Sequence, residues 1–156
     1  GGHLLTPEYI DYQIDLSRRR MGVETLDAFL VDQPEVHIPE IGKEMANRRL
    51  EPVFALLERA VRENRIRAYG ISTFEGFRVE TDAPLFQSLT SMQGLAERAA
   101  QEVTGDAHAR HHFRLAMLPF NQVMLEGFTR FNTATGKGNI ASALQAAHQL
   151  EVYMMA

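Results

Sequence analysis

Apolar positions along the chain fall into two rhythms. Leu50, Val53, Phe54, Leu57, Ala60 and Val61 recur at helical spacing. Between such stretches lie short apolar runs bounded by turn residues: "LDAFLV" at 26–31, "IRAYGIS" at 66–72, "FRLAML" at 113–118 and "LEVYMM" at 150–155. Short runs of this kind predict strands, and 26–31 suits one buried on both faces. Thr6 followed by Pro7 marks a helix start, an N-cap and then a proline at the first helical position. That helix is expected to end near Met21, with Gly22 as its stop, Ile10, Ile14 and Met21 inward, and Arg18 to Arg20 mostly solvated. Pro52 belongs to the first turn of the next helix or kinks a longer one beginning near Ile41. A third helix places Leu85, Leu89, Met92, Ala96, Ala99 and Val103 on one face and stops at Gly105. A fourth carries Ile140, Ala143, Leu144 and Ala147. The stretch "NTATGKGN" (132–139) reads as a flexible loop.

The order is helix, strand, four times over. Strands alternating with helices predict right-handed crossovers and a parallel α/β sheet. The chain has 156 residues, 45% of them hydrophobic and 23% charged, which suits a single globular unit over 1–156. The formal net charge of −4 gives no footprint for nucleic acid or an anionic membrane. There are no cysteines, which removes disulfides and thiolate metal sites and fits a cytoplasmic protein. No apolar run reaches about 18 residues, so no membrane span is expected. The opening "GGHLLTPEY" lacks the features of a signal peptide. With no initiator Met and an apolar last stretch, both ends read as truncated.

Candidate chemistry gathers after the strands. Asp32 is the last side chain of "LDAFLVD" before a polar turn, on the rim where parallel-sheet enzymes place their reacting groups. It serves either a pocket or the loop's own structure. The 72–84 loop lies on the same rim. Its Arg78 is a candidate clamp for an anionic substrate or phosphate, or a solvated loop arginine. Phe74 and Phe77 either wall a pocket or anchor the loop. "HARHH" (108–112) precedes a strand, which puts it on the opposite end from the rim and argues against a metal site. Asp32, Glu35 and His37 form a second conceivable ligand set, on the rim. His148 reads as structural. "GKG" (136–138) lacks Walker spacing, and no G-x-G-x-x-G follows a strand.

"ALLERAVRENRIRAYGISTF" (55–74) resembles the fifth barrel strand of the aldo/keto reductase family and the helix before it. "RRRMGVETLDAFLVDQPE" (18–35) is similar to that family's preceding helix and fourth strand. "LAMLPFNQVM" (115–124) resembles its sixth strand, and "LQAAHQLEVYMMA" (144–156) the approach to its seventh. The resemblance implies the central segment of an eight-stranded (β/α) barrel of the TIM type, with four strands and four main helices. It implies NADP(H) as cofactor and a small-molecule carbonyl as substrate, with no resident metal. The family's Asp, Tyr and Lys would lie upstream of Gly1, and its histidine station falls on Asp32. A neutral imidazole donates a hydrogen bond to a developing alkoxide, whereas a carboxylate only accepts. Ser72 matches the first residue of a Ser-Asn pair that holds the nicotinamide carboxamide, Thr73 takes the Asn's place with a hydroxyl but no amide, and Met117 stands where a Gln is usual. The alternative for Ser72 and Thr73 is that they only turn the chain.

The expectation is therefore a carbonyl-reducing oxidoreductase, represented by an incomplete barrel that is inactive alone. Its exposed sheet edges suit homo-oligomerisation. Two other readings stay open: a non-catalytic barrel-like binding or scaffold protein, and a metal-assisted hydrolase using Asp32, Glu35 and His37.

Overall fold

The computed structural model describes residues 4–136 and 138–156. Expectations that touch Gly1, Gly2, His3 or Lys137 lie outside them. Thr6 caps the first helix: its Oγ1 accepts the Tyr9 N–H at 3.3 Å. Helix α1 (Pro7–Met21) then runs until Gly22, whose φ of +67° is left-handed and closes it. After it come β1 (Leu26–Asp32), a 3-10 turn over Pro34–His37, α2 (Ile38–Ile41), α3 (Lys43–Arg62) and β2 (Ile66–Ser72). The second half holds α4 (Leu89–Thr104), β3 (Phe113–Met117), α5 (Glu126–Thr129), β4 (Phe131–Thr135), β5 (Asn139–Ser142), α6 (Ala143–Gln149) and β6 (Tyr153–Met155).

Strands β1, β2, β3 and β6 form one parallel sheet in that order. Consecutive parallel strands joined by helical crossovers form the parallel sheet that the sequence pattern predicts, and this arrangement fits the (β/α) barrel segment that the family resemblance implies. The helices α3 and α4 cover one face of this sheet. Phe54 of α3, Tyr69 of β2 and Phe113 of β3 meet there, with ring centroids 5.3 to 5.9 Å apart. Their geometry mixes edge-on and stacked contacts, the arrangements that the ring quadrupole favours. Ile14, Leu50, Val53, Leu57, Ile71, Leu89 and Met92 complete the same core.

Two backbone features fix how the strands line up. Tyr69 pairs with Phe113, but Gly70 pairs with Leu115, so the register shifts by one and Arg114 is the extra residue. At Gly70 the chains approach so closely that a Cβ would lie 1.9 Å from the Leu115 carbonyl oxygen.

Several local expectations need correction. Met21 is not inward but 68% exposed, because α1 has by then run past the sheet. Strand β1 is buried at Leu26 and Val31 only, since it is an edge strand whose second face has no cover. Pro52 sits within the 20-residue α3, the longer of the two expected helices. Leu85 precedes α4, which starts after the Ser88 N-cap. Within the expected loop, β4 and β5 pair antiparallel, and Ile140 is an exposed strand residue. Helix α6 begins only at Ala143, where Ser142 and Gln145 form a reciprocal capping box. The last strand is three residues long, because Leu150 still caps α6 and Glu151 turns the chain with a φ of +54°.

Candidate functional site

The carboxyl ends of the four strands finish level with one another. Asp32 pairs with Ser72, Ser72 with Met117 and Met117 with Met155. In-register neighbours of a parallel sheet project from the same face, so these four side chains form a row across the face away from α3 and α4. The ladder continues into the loops. The Gln33 N–H donates to the Ser72 carbonyl at 2.7 Å, Thr73 N–H to Met117 at 2.9 Å and Leu118 N–H to Met155 at 3.1 Å.

A cavity of about 230 Å³ opens in this rim. Gln33, Ser72, Thr73, Phe74, Met117 and Leu118 line it, with Pro119 and Ala156 at its margin. It is smaller than the roughly 300–1,000 Å³ of sites that enclose a whole ligand, so it accommodates one end of a larger molecule. The fold thus brings Ser72, Thr73 and Met117 to one cavity. Asp32 does not share it. Its exposed carboxylate lines an adjacent cavity of about 310 Å³ between α1 and the edge strand, together with His37.

The polar groups of the first cavity are unequal. Ser72 is buried. The Thr73 hydroxyl is committed within the protein: it donates to Glu35 Oε1 at 2.5 Å and accepts the Gly76 N–H at 2.8 Å. Glu35 Oε1 also accepts the backbone N–H groups of Phe74 at 2.9 Å and Glu75 at 3.4 Å. Met117 offers only a thioether. Gln33 is the one lining side chain with both an amide donor and an amide acceptor. It sits in the left-handed region, with φ +41° and ψ +56°, just before Pro34.

Arg78 lies on the rim but is not a free guanidinium. Its side chain is 11% exposed and ion-pairs with Glu126 at 3.2 Å. It also donates to the Phe74 carbonyl at 3.0 Å and lies 5.5 Å from that ring's centroid. The Glu126 carboxyl is held below the usual carboxylate range, first by its own backbone N–H and then by Arg78. Phe77 anchors the loop from the core, while the exposed Phe74 walls the cavity. Asn132 of β4 ties the same loop down, donating to the carbonyls of Phe77 at 3.1 Å and Val79 at 2.8 Å.

The proposed ligand set of Asp32, Glu35 and His37 does not assemble. Among the described residues no group of three His, Cys, Asp or Glu side chains is placed to hold a metal ion. Glu35 points instead into the 73–76 turn. The "HARHH" histidines serve the far end of the sheet. His112 Nδ1 meets Glu58 Oε2 at 2.7 Å, while Glu58 Oε1 accepts the Tyr69 phenol and the His112 N–H, each at 2.8 Å. Burial, reinforced by the Glu58 charge, pushes the Tyr69 phenol well above its usual pKa. Burial and then the Arg114 charge push buried His111 down.

Sequence reasoning missed the Glu35 contact, the Gln33 wall and the Asn132 tether. Only Glu35 left a trace, as an acidic residue two positions from the end of a rim turn.

The model of the aldo/keto reductase family matches residues 2–85, more than half of the chain, and the chain belongs to that family. It is a family of oxidoreductases whose members generally use NAD(P)H on small-molecule carbonyls. The match spans α1, β1, α3, β2 and the whole of the 72–84 rim loop, and so includes Asp32, Ser72, Thr73 and Arg78. The resemblance read at 115–124 and 144–156 lies outside it, and with it Met117. No curated protein matches the chain. No helix among the described residues is long and apolar enough to cross a membrane.

Proposed function

We propose that this chain is the central part of an NADP(H)-dependent oxidoreductase that reduces a small carbonyl compound. The observation that carries the reading is the convergence of Ser72, Thr73 and Met117 on one rim cavity sized for the ring end of a cofactor. Ser72 offers its hydroxyl to the carboxamide, Thr73 its backbone carbonyl, and Met117 an apolar floor. The hydride donor would lie between this cavity and the neighbouring one that holds Asp32. A carboxylate at that station accepts hydrogen bonds and repels an oxygen that is gaining negative charge. The carbonyl oxygen must therefore be polarised by groups that the rest of a barrel supplies, and the 1–156 segment is inactive alone. An anionic substrate at Arg78 would have to displace Glu126. The sheet edges, β1 and β6, suit closure by further strands or by a second copy. A cytoplasmic location fits a cysteine-free chain.

The test is titration of the complete protein with NADPH, followed by carbonyl-dependent NADPH oxidation. Absence of any fluorescence or thermal shift with NADPH rejects the reading. Binding without turnover on a broad carbonyl panel favours a second reading, a nucleotide-binding scaffold. One observation favours that alternative: the Thr73 hydroxyl is fully engaged by Glu35 and Gly76.

A further inference from the structure

Glu35 is 2% exposed. Burying a carboxylate is costly unless charges or hydrogen bonds replace its water. Among the described residues no cation pairs with it. What it has instead is the turn that follows β2: the Thr73 hydroxyl and the N–H groups of Phe74 and Glu75 all converge on Oε1. Its other oxygen, Oε2, is buried without a partner. Such a group is a poor way to stabilise a core, because an apolar side chain would fill the space at lower cost. It is a good way to fix one loop conformation.

The loop it fixes is the cavity wall. Thr73 passes the constraint on by accepting the Gly76 N–H, and Gly76 is packed so tightly that a Cβ would lie 2.6 Å from Thr73 Oγ1 and 2.8 Å from Gln87 Cγ. On the other side, the left-handed Gln33 and the 3-10 turn at Pro34–His37 swing Glu35 back toward β2. Gln33 and Phe74, the residues flanking this contact in the two loops, both line the cavity. Glu35 therefore clamps the loop after β1 to the loop after β2 across the site.

We infer that Glu35 is a positioning residue: its buried carboxylate latches the 73–76 turn and so shapes the Ser72–Met117 cavity for the ring end of a pyridine nucleotide. This rests on the reading of that cavity given above. Glu35 touches no ligand itself. It acts through Thr73 and Phe74.

The experiment compares wild type, Glu35→Ala and Glu35→Gln in the complete protein. Each is titrated with NADPH and with adenosine 2′,5′-bisphosphate, which lacks the nicotinamide ring. Glu35→Ala should weaken NADPH by about tenfold or more and leave the bisphosphate unchanged, because only the ring end meets the latch. Glu35→Gln keeps an acceptor at Oε1 and should restore most of the NADPH affinity. Equal loss of both ligands, or loss of neither, overturns the inference. If Glu35→Ala does not fold, Thr73→Val removes one of the three donors and should show the same one-sided loss. If wild type binds no NADPH, the cavity reading fails by itself. Hydrogen exchange then judges the latch: in Glu35→Ala, or in Thr73→Val where that variant stands in for it, the Phe74 and Glu75 amides should exchange faster while those of α3 and α4 do not change. Unchanged exchange at Phe74 and Glu75 overturns it.

Discussion

Gly70 lies against the Leu115 carbonyl with no room for a side chain between them: a Cβ there would stand 1.9 Å from the oxygen. The obstacle is backbone, which cannot swing aside as a flexible side chain would. The two central strands pair here, so any relief must shift the sheet itself. Gly70→Ala should cost at least about 3 kcal/mol, the upper end of overpacking effects. Urea denaturation of the complete protein reads this directly, and a midpoint unchanged by the substitution would refute the close approach.

Tyr69 and Glu58 give a prediction with a pH dependence. The folded protein keeps the phenol protonated well above its ordinary range, chiefly through burial. An unfolded tyrosine loses its proton near pH 10. Above that value the unfolded chain holds fewer protons than the folded one, so stability falls as pH rises further. Tyr69→Phe should remove this part of the alkaline loss. It also deletes a hydrogen bond to a buried carboxylate, costing about 2 kcal/mol at neutral pH. Denaturation curves at neutral and alkaline pH separate the two effects.

His111 makes the opposite statement at acid pH. Burial and then Arg114 hold its folded pKa below the ordinary value of about 6.5. As pH drops below that value the unfolded chain takes up the proton first, and stability is lost. The loss stops growing once the folded imidazole also protonates. In His111→Gln the difference in urea midpoint between neutral and mildly acid pH should shrink. A difference as large as in wild type would show that other groups carry the acid sensitivity.

Asp32 tests the chemistry proposed for the rim. Asp32→His replaces an acceptor with a group able to donate toward the carbonyl oxygen. If the station polarises substrate, carbonyl-dependent NADPH oxidation by the complete protein should rise by about two to three orders of magnitude, the range for single oxyanion donors. A rate equal to or below wild type would remove Asp32 from the substrate's neighbourhood.

The sequence made the alternation of strands and helices readable because each parallel strand is a short apolar run with a strong stop on either side. Thr6, Pro7 and Gly22 mark α1 by local chemistry alone. The antiparallel pair of β4 and β5 was hidden for the same reason that α1 was visible. The threonines, asparagines and glycines of 132–139 favour turns when read locally, yet Asn132 and Thr133 are buried by contacts with distant segments. Ser72, Thr73 and Met117 were legible as a group only through the family resemblance, which gives each a station at a strand end. The partner of Thr73 was not, because Glu35 lies 38 residues away and no local pattern records that contact.

The extra residue at Arg114 has a consequence of parity. Phe113 joins the aromatic core beneath the helices, and side chains along a strand alternate between faces. Uninterrupted alternation from Phe113 would turn Met117 toward the helices as well. The one-residue shift reverses the count, sending Ala116 to the core with Ile71 and Met117 to the rim beside Ser72. The composition of the cavity is thus decided by an odd-or-even count in a neighbouring strand. Deleting Arg114 would erase the bulge and leave Met117 on the rim, whereas a regular strand that kept Arg114 would set the Ala116 methyl beside Ser72 in place of the thioether.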